Sequence, residues 1–481
     1  MLNEKFLKYV KGWYFIYFGF ILMLRAIGPY LLLPTRYDTL LFWPAGIAGV
    51  VLIIIDAIIA FREKNLKKYD WLLIAFIGAM LVSSLMNLKY GYSENIKLIM
   101  WQLIFFFMIY QFGKDYSSNF FFKVFTWILS LVWFLANLVS LYWFVIQYGI
   151  KIPIKYKYYP VRLGWLGNRL FGVYTDPNFG AVISLIVIII AIYYLVTYKH
   201  LNLLFKIFFA INIFIQFSFI ALSGSRTTLV CLLIATFVFS FFTSYSSRFL
   251  KTNTLKRWLT ALVVGLLSII AMYYVTDITA QAWAHVPHIT EIKKDITAQA
   301  WAHVPHITEI KKDISDSSGT TSSNKVDLKR PDTDGGDVSN LRFGLWKSAI
   351  EIFKSKPISG GSPGYYIEYA HDKLPYTLMG KDTLTAHNFI FLVMAATGGL
   401  GLLTLLTFLF IQCFKTLRYC FTQPNLVKDK HFFAILMILT IAVSALFITE
   451  LILVSTIGSF IFWGYLGSIQ KTISKEEGVT N

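Results

Sequence analysis

The chain alternates between long apolar runs and short charged segments, and many of the apolar runs are close to 20 residues long. A helix of about 20 residues spans the roughly 30 Å hydrocarbon core of a bilayer. The pattern therefore predicts twelve transmembrane helices, at 13–33, 39–61, 71–88, 97–113, 120–147, 179–198, 201–222, 226–245, 258–276, 388–414, 431–449 and 451–469.

These spans predict an all-α polytopic membrane protein of about twelve transmembrane helices, with a large extracytoplasmic loop between the ninth and the tenth. Residues 1–276 hold the first nine helices and an extracytoplasmic loop at 148–178. Residues 277–387 form the large loop, 388–469 hold the last three helices, and 470–481 are a cytoplasmic tail. The first span contains Arg25 and lacks a small-residue cleavage site, so we interpret it as a retained helix.

Composition supports a membrane protein. The chain is 56% hydrophobic and 15% charged, whereas soluble domains are about 25% charged. A lipid-facing surface requires this deficit, because a charge at the bilayer centre costs several kcal/mol.

The formal charge of +18 would suggest a nucleic-acid partner in a soluble protein. Here most of the excess positive charge lies in every second loop between the apolar runs, which is the positive-inside pattern. We therefore predict no nucleic-acid partner, a cytoplasmic N-terminus and a location in the plasma membrane. The three cysteines show no metal-ligand spacing, and their odd number argues against a disulfide framework.

Two segments with several Lys and Arg residues depart from the positive-inside pattern, because both fall on the predicted outer face. They are the loop at 148–178 and the insert at 277–387. Such segments are candidate sites for an anionic ligand, and a solvated loop with ordinary charges is the alternative.

The insert begins with an 18-residue segment that occurs twice, at 277–294 and 295–312. We interpret it as a local duplication in a tolerant loop, and we predict no metal site at its His-Val-Pro-His pairs because acidic and Cys ligands are missing. A polar linker follows at 315–340, and then an amphipathic helix near 342–356.

Three arginines and one histidine on the predicted outer face could take part in chemistry. Arg169 precedes Asp176 and Pro177, which suit a helix cap and first turn. Arg226 follows Ser-Gly-Ser at a helix start, where small residues, free N–H groups and a cation suit a phosphate. The alternative for Arg226 is a snorkelling side chain beside a serine cap.

The other two residues flank the end of the insert. Arg342 opens the amphipathic helix, and His387 lies at the outer start of the tenth span. A lone interfacial histidine is most often a structural hydrogen-bonding group. Glu450 separates the last two spans, and a carboxylate at that depth is a functional candidate by default, here to orient an arginine or an acceptor.

The spacing of these residues resembles the O-antigen ligase and polysaccharide polymerase superfamily of membrane glycosyltransferases. His387-Asn388 is followed by nine residues and then by Gly398-Gly399-Leu400-Gly401, which matches the family signature in full. Arg342 and Trp346 match an upstream Arg-x-x-x-Trp helix, and 357–364 is similar to a Pro-x-x-Gly-x-Gly turn but departs in detail. The resemblance covers roughly residues 165–470 and includes the segments around Arg169 and Arg226.

The resemblance implies transfer of a glycan from an undecaprenyl diphosphate carrier to a glycan acceptor hydroxyl at the outer face of the bilayer, with inversion. It implies no cofactor and no metal. His387 would be the general base, and Arg226 and Arg342 would bind the diphosphate. Arg169, Asn388, Asp176 and Glu450 would contact substrate. Further candidate partners are a flippase and a chain-length regulator.

Two roles remain open within the family. Abundant Lys, Ile, Phe, Tyr and Asn suggest an AT-rich genome, such as that of a Gram-positive bacterium without lipid A. This favours a polymerase of capsule or exopolysaccharide repeat units over a ligase that transfers polysaccharide to a lipid A core. A twelve-helix transporter is the alternative from another functional class. Such transporters often contain two similar halves, and no such internal repeat is visible in this sequence.

Overall fold

The structure, a computed structural model, describes residues 4–116, 119–153, 160–198, 200–246, 254–286, 326–328, 341–423 and 426–479. Helices dominate these residues. The α-helices are Glu4–Arg25, Gly28–Leu31, Thr35–Arg62, Trp71–Met86, Tyr92–Ile104, Gln111–Tyr116, Asn119–Val145, Pro177–Thr197, Leu203–Ser223, Arg226–Tyr245, Thr254–Ala284, Arg342–Ser355, Tyr366–Lys373, Leu378–Lys381, Phe389–Thr422, Lys430–Ser444 and Ile457–Val479. A π-helical stretch spans Phe105–Tyr110, and short 3₁₀ turns span Leu66–Lys68 and Leu426–Lys428.

Within the described ranges, 8 helices are long and apolar enough to cross a membrane. Two further apolar helices, Trp71–Met86 and Lys430–Ser444, are shorter. A mostly helical polytopic membrane protein is thus confirmed, and the count of twelve stays a prediction.

Large apolar side chains remain exposed along the outer surfaces of these helices. On Thr254–Ala284, for example, Leu262, Leu267 and Ile270 are each more than two-fifths exposed. In water such a surface would drive association. Facing lipid tails, it is the expected exterior of a membrane protein.

Several boundaries differ from the predicted spans, and three of these differences change the architecture. The first helix ends at Arg25 rather than at 33, because Pro29 has no N–H to donate to the carbonyl of Arg25 and Ile27 pairs with Tyr174. The ninth helix continues to Ala284 and so includes the beginning of the first repeat copy. The last two helices are separated by the irregular segment 445–456, which the apolar pattern did not reveal. The second repeat copy and most of the polar linker lie outside the described residues.

A small sheet adds to the helical fold in the predicted outer loop after Val145. Strands β1 (Gly149–Ile152), β2 (Val161–Trp165) and β3 (Leu170–Gly172) form an antiparallel sheet in that order. Apolar residues of the first two strands form a small core with the end of the preceding helix: Ile146, Tyr148, Ile150, Ile152, Val161 and Leu163. The strands were missed because each is only 3–5 residues long.

A buried ion cluster joins the ends of several helices on the predicted cytoplasmic side. Asp56, inside the predicted second span, pairs with Lys11, and its second oxygen lies 2.7 Å from Lys68 and 2.8 Å from the Tyr69 hydroxyl. Pairing explains why a carboxylate is tolerated at this depth.

The helix Phe389–Thr422 is broken at Gly398, whose φ of 64° and ψ of −160° are essentially restricted to glycine. The turn 357–361 fills the break. The N–H of Gly361 donates to the carbonyl of Ala395 (2.8 Å), and the N–H of Gly399 donates to the carbonyl of Pro357 (2.7 Å). Gly360, at a φ of 66°, allows the two backbones to approach.

The neighbouring helix Trp71–Met86 completes the junction. The Ser83 hydroxyl donates to the carbonyl of Ala396 at 2.9 Å, and the Asn87 amide donates to the carbonyl of Gly360 at 3.0 Å. The break lies about 13.5 Å along the helix from its first residue, Phe389, a little under half the thickness of the hydrocarbon core. At such a depth backbone groups freed by a break require protein partners, because lipid offers none.

We predict that Gly398→Ala destabilises the protein by at least about 2 kcal/mol, because the new Cβ would lie 2.4 Å from the Ile358 carbonyl oxygen at a φ that disfavours alanine. The thermal unfolding midpoint of purified protein measures this. Gly78→Ala is the control, since a Cβ there meets nothing within 4 Å, and we expect no loss of stability from it. Equal midpoints for the two variants would contradict the prediction.

Candidate functional site

The helix that begins at Arg342 is connected to the segment that holds His387. The indole N–H of Trp346 donates to the carbonyl of Ala386 at 3.0 Å, and its ring stacks on Phe391 with centroids 5.0 Å apart. Trp346 lies one turn after Arg342, so the same helix that presents the arginine also holds the backbone beside His387.

His387 has a φ of 49°, in the left-handed region that non-glycine residues seldom occupy. Asn388 caps the helix that follows, with its side-chain oxygen accepting from the N–H groups of Ile390 and Phe391. Its amide nitrogen donates to the carbonyl of Leu446 at 3.0 Å. Strained backbone of this kind persists only where its surroundings fix it, and it is common at functional sites.

Burial and charge hold the pKa of His387 below its usual value. Burial of the ring is the larger cause, the Arg342 guanidinium acts in the same direction, and the Asp176 carboxylate opposes both. The imidazole is therefore neutral at pH 7, the form that can accept a proton.

Arg169 and the turn before Arg226 share one acceptor. Arg169 donates through Nε to the carbonyl of Ser223 and through a terminal nitrogen to the Asn178 side-chain oxygen, both at 2.6 Å. The Ser225 hydroxyl donates to the same Asn178 oxygen at 2.9 Å, and Ser225 caps the helix that begins at Arg226. Arg226 itself is exposed at this helix end.

Asp176 caps the helix Pro177–Thr197 by accepting from the N–H of Asn178 at 2.7 Å. The residues before it are fixed from two sides. The N–H of Thr175 donates to the carbonyl of Ala26, and the buried Tyr174 hydroxyl donates to Asn137 at 2.8 Å. Asp176 therefore has a defined position from which its charge acts on both His387 and Glu450.

Glu450 is completely buried in the segment 445–456. One carboxyl oxygen accepts from Ser444 at 2.9 Å, and the other has no hydrogen-bond partner among the described residues. Burial raises its pKa to about 8, the Ser444 hydrogen bond opposes this, and Asp176 adds to it. Glu450, Arg25 and Thr175 line a cavity of about 100 Å³.

The segment 445–456 also packs against the start of the tenth predicted span. The N–H of Phe389 donates to the carbonyl of Ala445 at 2.9 Å, and the hydroxyls of Thr385 and Thr449 are 3.3 Å apart. The guanidinium of Arg342 lies 6.0 Å from the ring centre of Phe447. One region is therefore surrounded by four groups: the Arg342 cation, the neutral His387, the Asp176 carboxylate and the buried acid Glu450.

The geometry has a counterpart among known proteins. A model of the O-antigen ligase family matches residues 211–406, which include Arg226, Arg342 and His387. This stretch of the chain is similar to the O-antigen ligase family. The resemblance inferred from the motifs is thereby confirmed, whereas a comparison with curated proteins finds no match.

The match to the O-antigen ligase family suggests ligase- or polymerase-type glycosyl transfer with lipid-linked glycan substrates in a membrane. Arg169, Asp176 and Glu450 lie outside the matched residues. The structure nevertheless links them to the matched part through Asn178 and through the segment 445–456.

Two contributors to this candidate site were not predicted in these roles. Asn178, as the shared acceptor of Arg169 and Ser225, could have been suspected from its place in Asp-Pro-Asn. The bond from Trp346 to the residue before His387 joins positions 40 residues apart and has no local signal. Among the described residues, no group of three or more His, Cys, Asp or Glu side chains could hold a metal ion.

We predict that Trp346→Phe lowers the transfer rate at least about tenfold, because it removes the hydrogen bond that fixes the His387 segment while keeping the ring stack. The expected loss of stability is only about 1 kcal/mol. Transfer kinetics and the unfolding midpoint of the purified protein measure the two effects. Trp101→Phe, in a ring stack between Phe18 and Phe42, is the control of equal volume. A similar rate loss in both variants would refute a positioning role.

Proposed function

We propose that the protein is a polymerase of polysaccharide repeat units. It transfers a glycan from undecaprenyl diphosphate to a hydroxyl of an acceptor glycan at the outer face of the plasma membrane. The observation that supports this best is the neutral His387 beside Arg342 and Asp176, in a chain that matches the O-antigen ligase family.

His387 acts as the general base. Its ring nitrogen removes the proton of the acceptor hydroxyl while the oxygen attacks the anomeric carbon of the donor. The depressed pKa keeps the ring available as a base at neutral pH, and Asp176 stabilises the imidazolium that forms. The bond from the anomeric carbon to the diphosphate oxygen breaks from the opposite side, so the configuration inverts.

The diphosphate leaves with increased negative charge, and Arg226 and Arg342 bind it. Arginine suits this task because its planar guanidinium donates two parallel hydrogen bonds to phosphate oxygens. The exposed helix start at Arg226 adds its own positive end. No nucleotide sugar or metal is required in this scheme.

Arg169 and Asn388 contribute by positioning. The contacts of Arg169 with Ser223 and Asn178 support a role in holding the turn before Arg226. The cap and the bond to Leu446 support a role for Asn388 in orienting His387. Glu450, uncharged at neutral pH, donates a hydrogen bond to a hydroxyl of the bound glycan.

The polymerase is preferred to the ligase because the composition points to a bacterium without lipid A. A flippase and a chain-length regulator are the expected partners in the membrane. Surface polysaccharide of a deletion strain distinguishes the classes of function: loss of a polymerase leaves single repeat units on the surface, whereas loss of an exporter leaves none.

We predict that His387→Gln abolishes polymer formation in cells at unchanged protein level, because glutamine fits the space but cannot accept the proton. Polymer length on gels and membrane immunoblots measure this. His371→Gln is the control, since His371 is an exposed histidine of the same outer region. Polymer of normal length from His387→Gln would overturn the base assignment.

We also predict an acid limb in the pH profile of the transfer rate. Because the pKa of His387 is depressed, the rate should fall to half its maximum only below about pH 6.5. The depression also makes the folded state lose stability as the pH falls below about 6.5, so unfolding midpoints must be measured at each pH. A rate that already falls by half between pH 8 and 7 would contradict a depressed pKa.

A further inference from the structure

A second cavity, of about 80 Å³, lies at the far end of the helices that form the candidate site. Lys123, Lys430, His431, Tyr193 and Tyr194 are among its lining residues. The helix Pro177–Thr197 starts beside Asp176 and reaches this cavity at Tyr193, about 24 Å further on. The helix Lys430–Ser444 runs the other way, from the cavity to the residue that hydrogen-bonds Glu450.

The charge around the cavity favours an anion. Two lysines line it, and the ammonium of Lys123 lies 5.3 Å from the ring centre of Tyr198. Asp429 is the nearby acid, and it accepts from the Tyr419 hydroxyl and caps the helix at the N–H of His431. Among the side chains that the structure describes, two ammonium groups beside one engaged carboxylate give a net positive wall, which disfavours a cation.

Hydroxyl groups in and beside the cavity add hydrogen-bond donors. Thr126 and Tyr194 are 3.0 Å apart at their hydroxyl oxygens, and Tyr193 and Tyr198 are 3.4 Å apart. Tyrosines are frequent where helices leave the membrane, since the ring is apolar and the hydroxyl is hydrated. Ammonium and hydroxyl groups around a small space are typical of a phosphate site.

An apolar groove lies next to this basic cavity. Trp127 lines the groove, and its ring centre is 5.3 Å from that of Tyr194, which lines the cavity. The remaining lining is apolar as well: Ile128, Leu131, Leu204, Phe205 and Phe208. The basic cavity has room for a phosphate group, and the apolar groove lies next to it. Together they match one lipid molecule, with its headgroup in the cavity and an acyl chain in the groove.

We infer that this cavity and groove bind one anionic phospholipid, with Lys123 and Lys430 on its phosphate. The positive-inside pattern assigns this end of the helices to the cytoplasmic leaflet, where anionic headgroups contact basic pockets between helices. The inference goes beyond the proposed glycosyl transfer and does not depend on it.

The test compares the full-length protein in nanodiscs of phosphatidylcholine with and without phosphatidylglycerol. Native mass spectrometry counts retained phosphatidylglycerol, and the unfolding midpoint reports stabilisation. Lys123→Gln/Lys430→Gln removes two cations from the cavity. Lys67→Gln/Arg418→Gln removes two exposed cations elsewhere on the predicted cytoplasmic side and is the charge-matched control.

We expect phosphatidylglycerol to be retained by the wild type and by the control. In the double cavity variant its affinity should fall about fivefold for each lysine removed. An equal loss of affinity in the control would mean that general surface charge causes the effect, and it would overturn the site. A midpoint raised by millimolar inorganic phosphate as much as by phosphatidylglycerol would identify free phosphate as the ligand and overturn the lipid.

If the double variant does not fold, Lys123→Gln alone is measured in the same way. Lys123 is exposed near the start of its helix, so its loss should leave the fold intact. Unchanged retention of phosphatidylglycerol by this variant would also overturn the inference.

Discussion

The predicted outer half of this protein depends on backbone hydrogen bonds between the turn 357–361 and the broken helix at Gly398. A break at that depth leaves carbonyl and N–H groups without helical partners, and lipid cannot provide them. The turn and Ser83 provide them instead. As a result the outer insert is attached to the helix bundle in its last part, between the Arg342 helix and the His387 segment.

The attachment explains how residues distant in sequence reach one region. Trp346 contacts the backbone before His387, and Asn388 contacts the segment 445–456, which holds Glu450. On the other side, Asn178 joins Arg169 to the turn before Arg226. Asp176 stands between these groups, and its charge acts on His387 and on Glu450.

The titratable side chains at the two ends of the helix bundle differ in whether they are paired. At the predicted cytoplasmic end Asp56 is buried together with two lysines, and the resulting pairs join helices. At the other end His387 is depressed in pKa by burial and by a like charge. Glu450 keeps a buried oxygen that no described residue satisfies. Paired charges suit a structural role, whereas titratable groups with shifted pKa values and an unsatisfied buried oxygen are typical of functional sites.

The sequence alone determined the class of protein, the approximate helices and the family. These follow from run length, loop charge and the spacing from His387 to Gly398, all of which are local properties. The sheet at 149–172, the early end of the first helix and the segment 445–456 were decided by the tertiary structure. Each depends on pairing between distant residues, as between Ile27 and Tyr174. The same holds for the site: the sequence identified which residue types could act, and only packing of the loops brought Asp176 and Glu450 to His387.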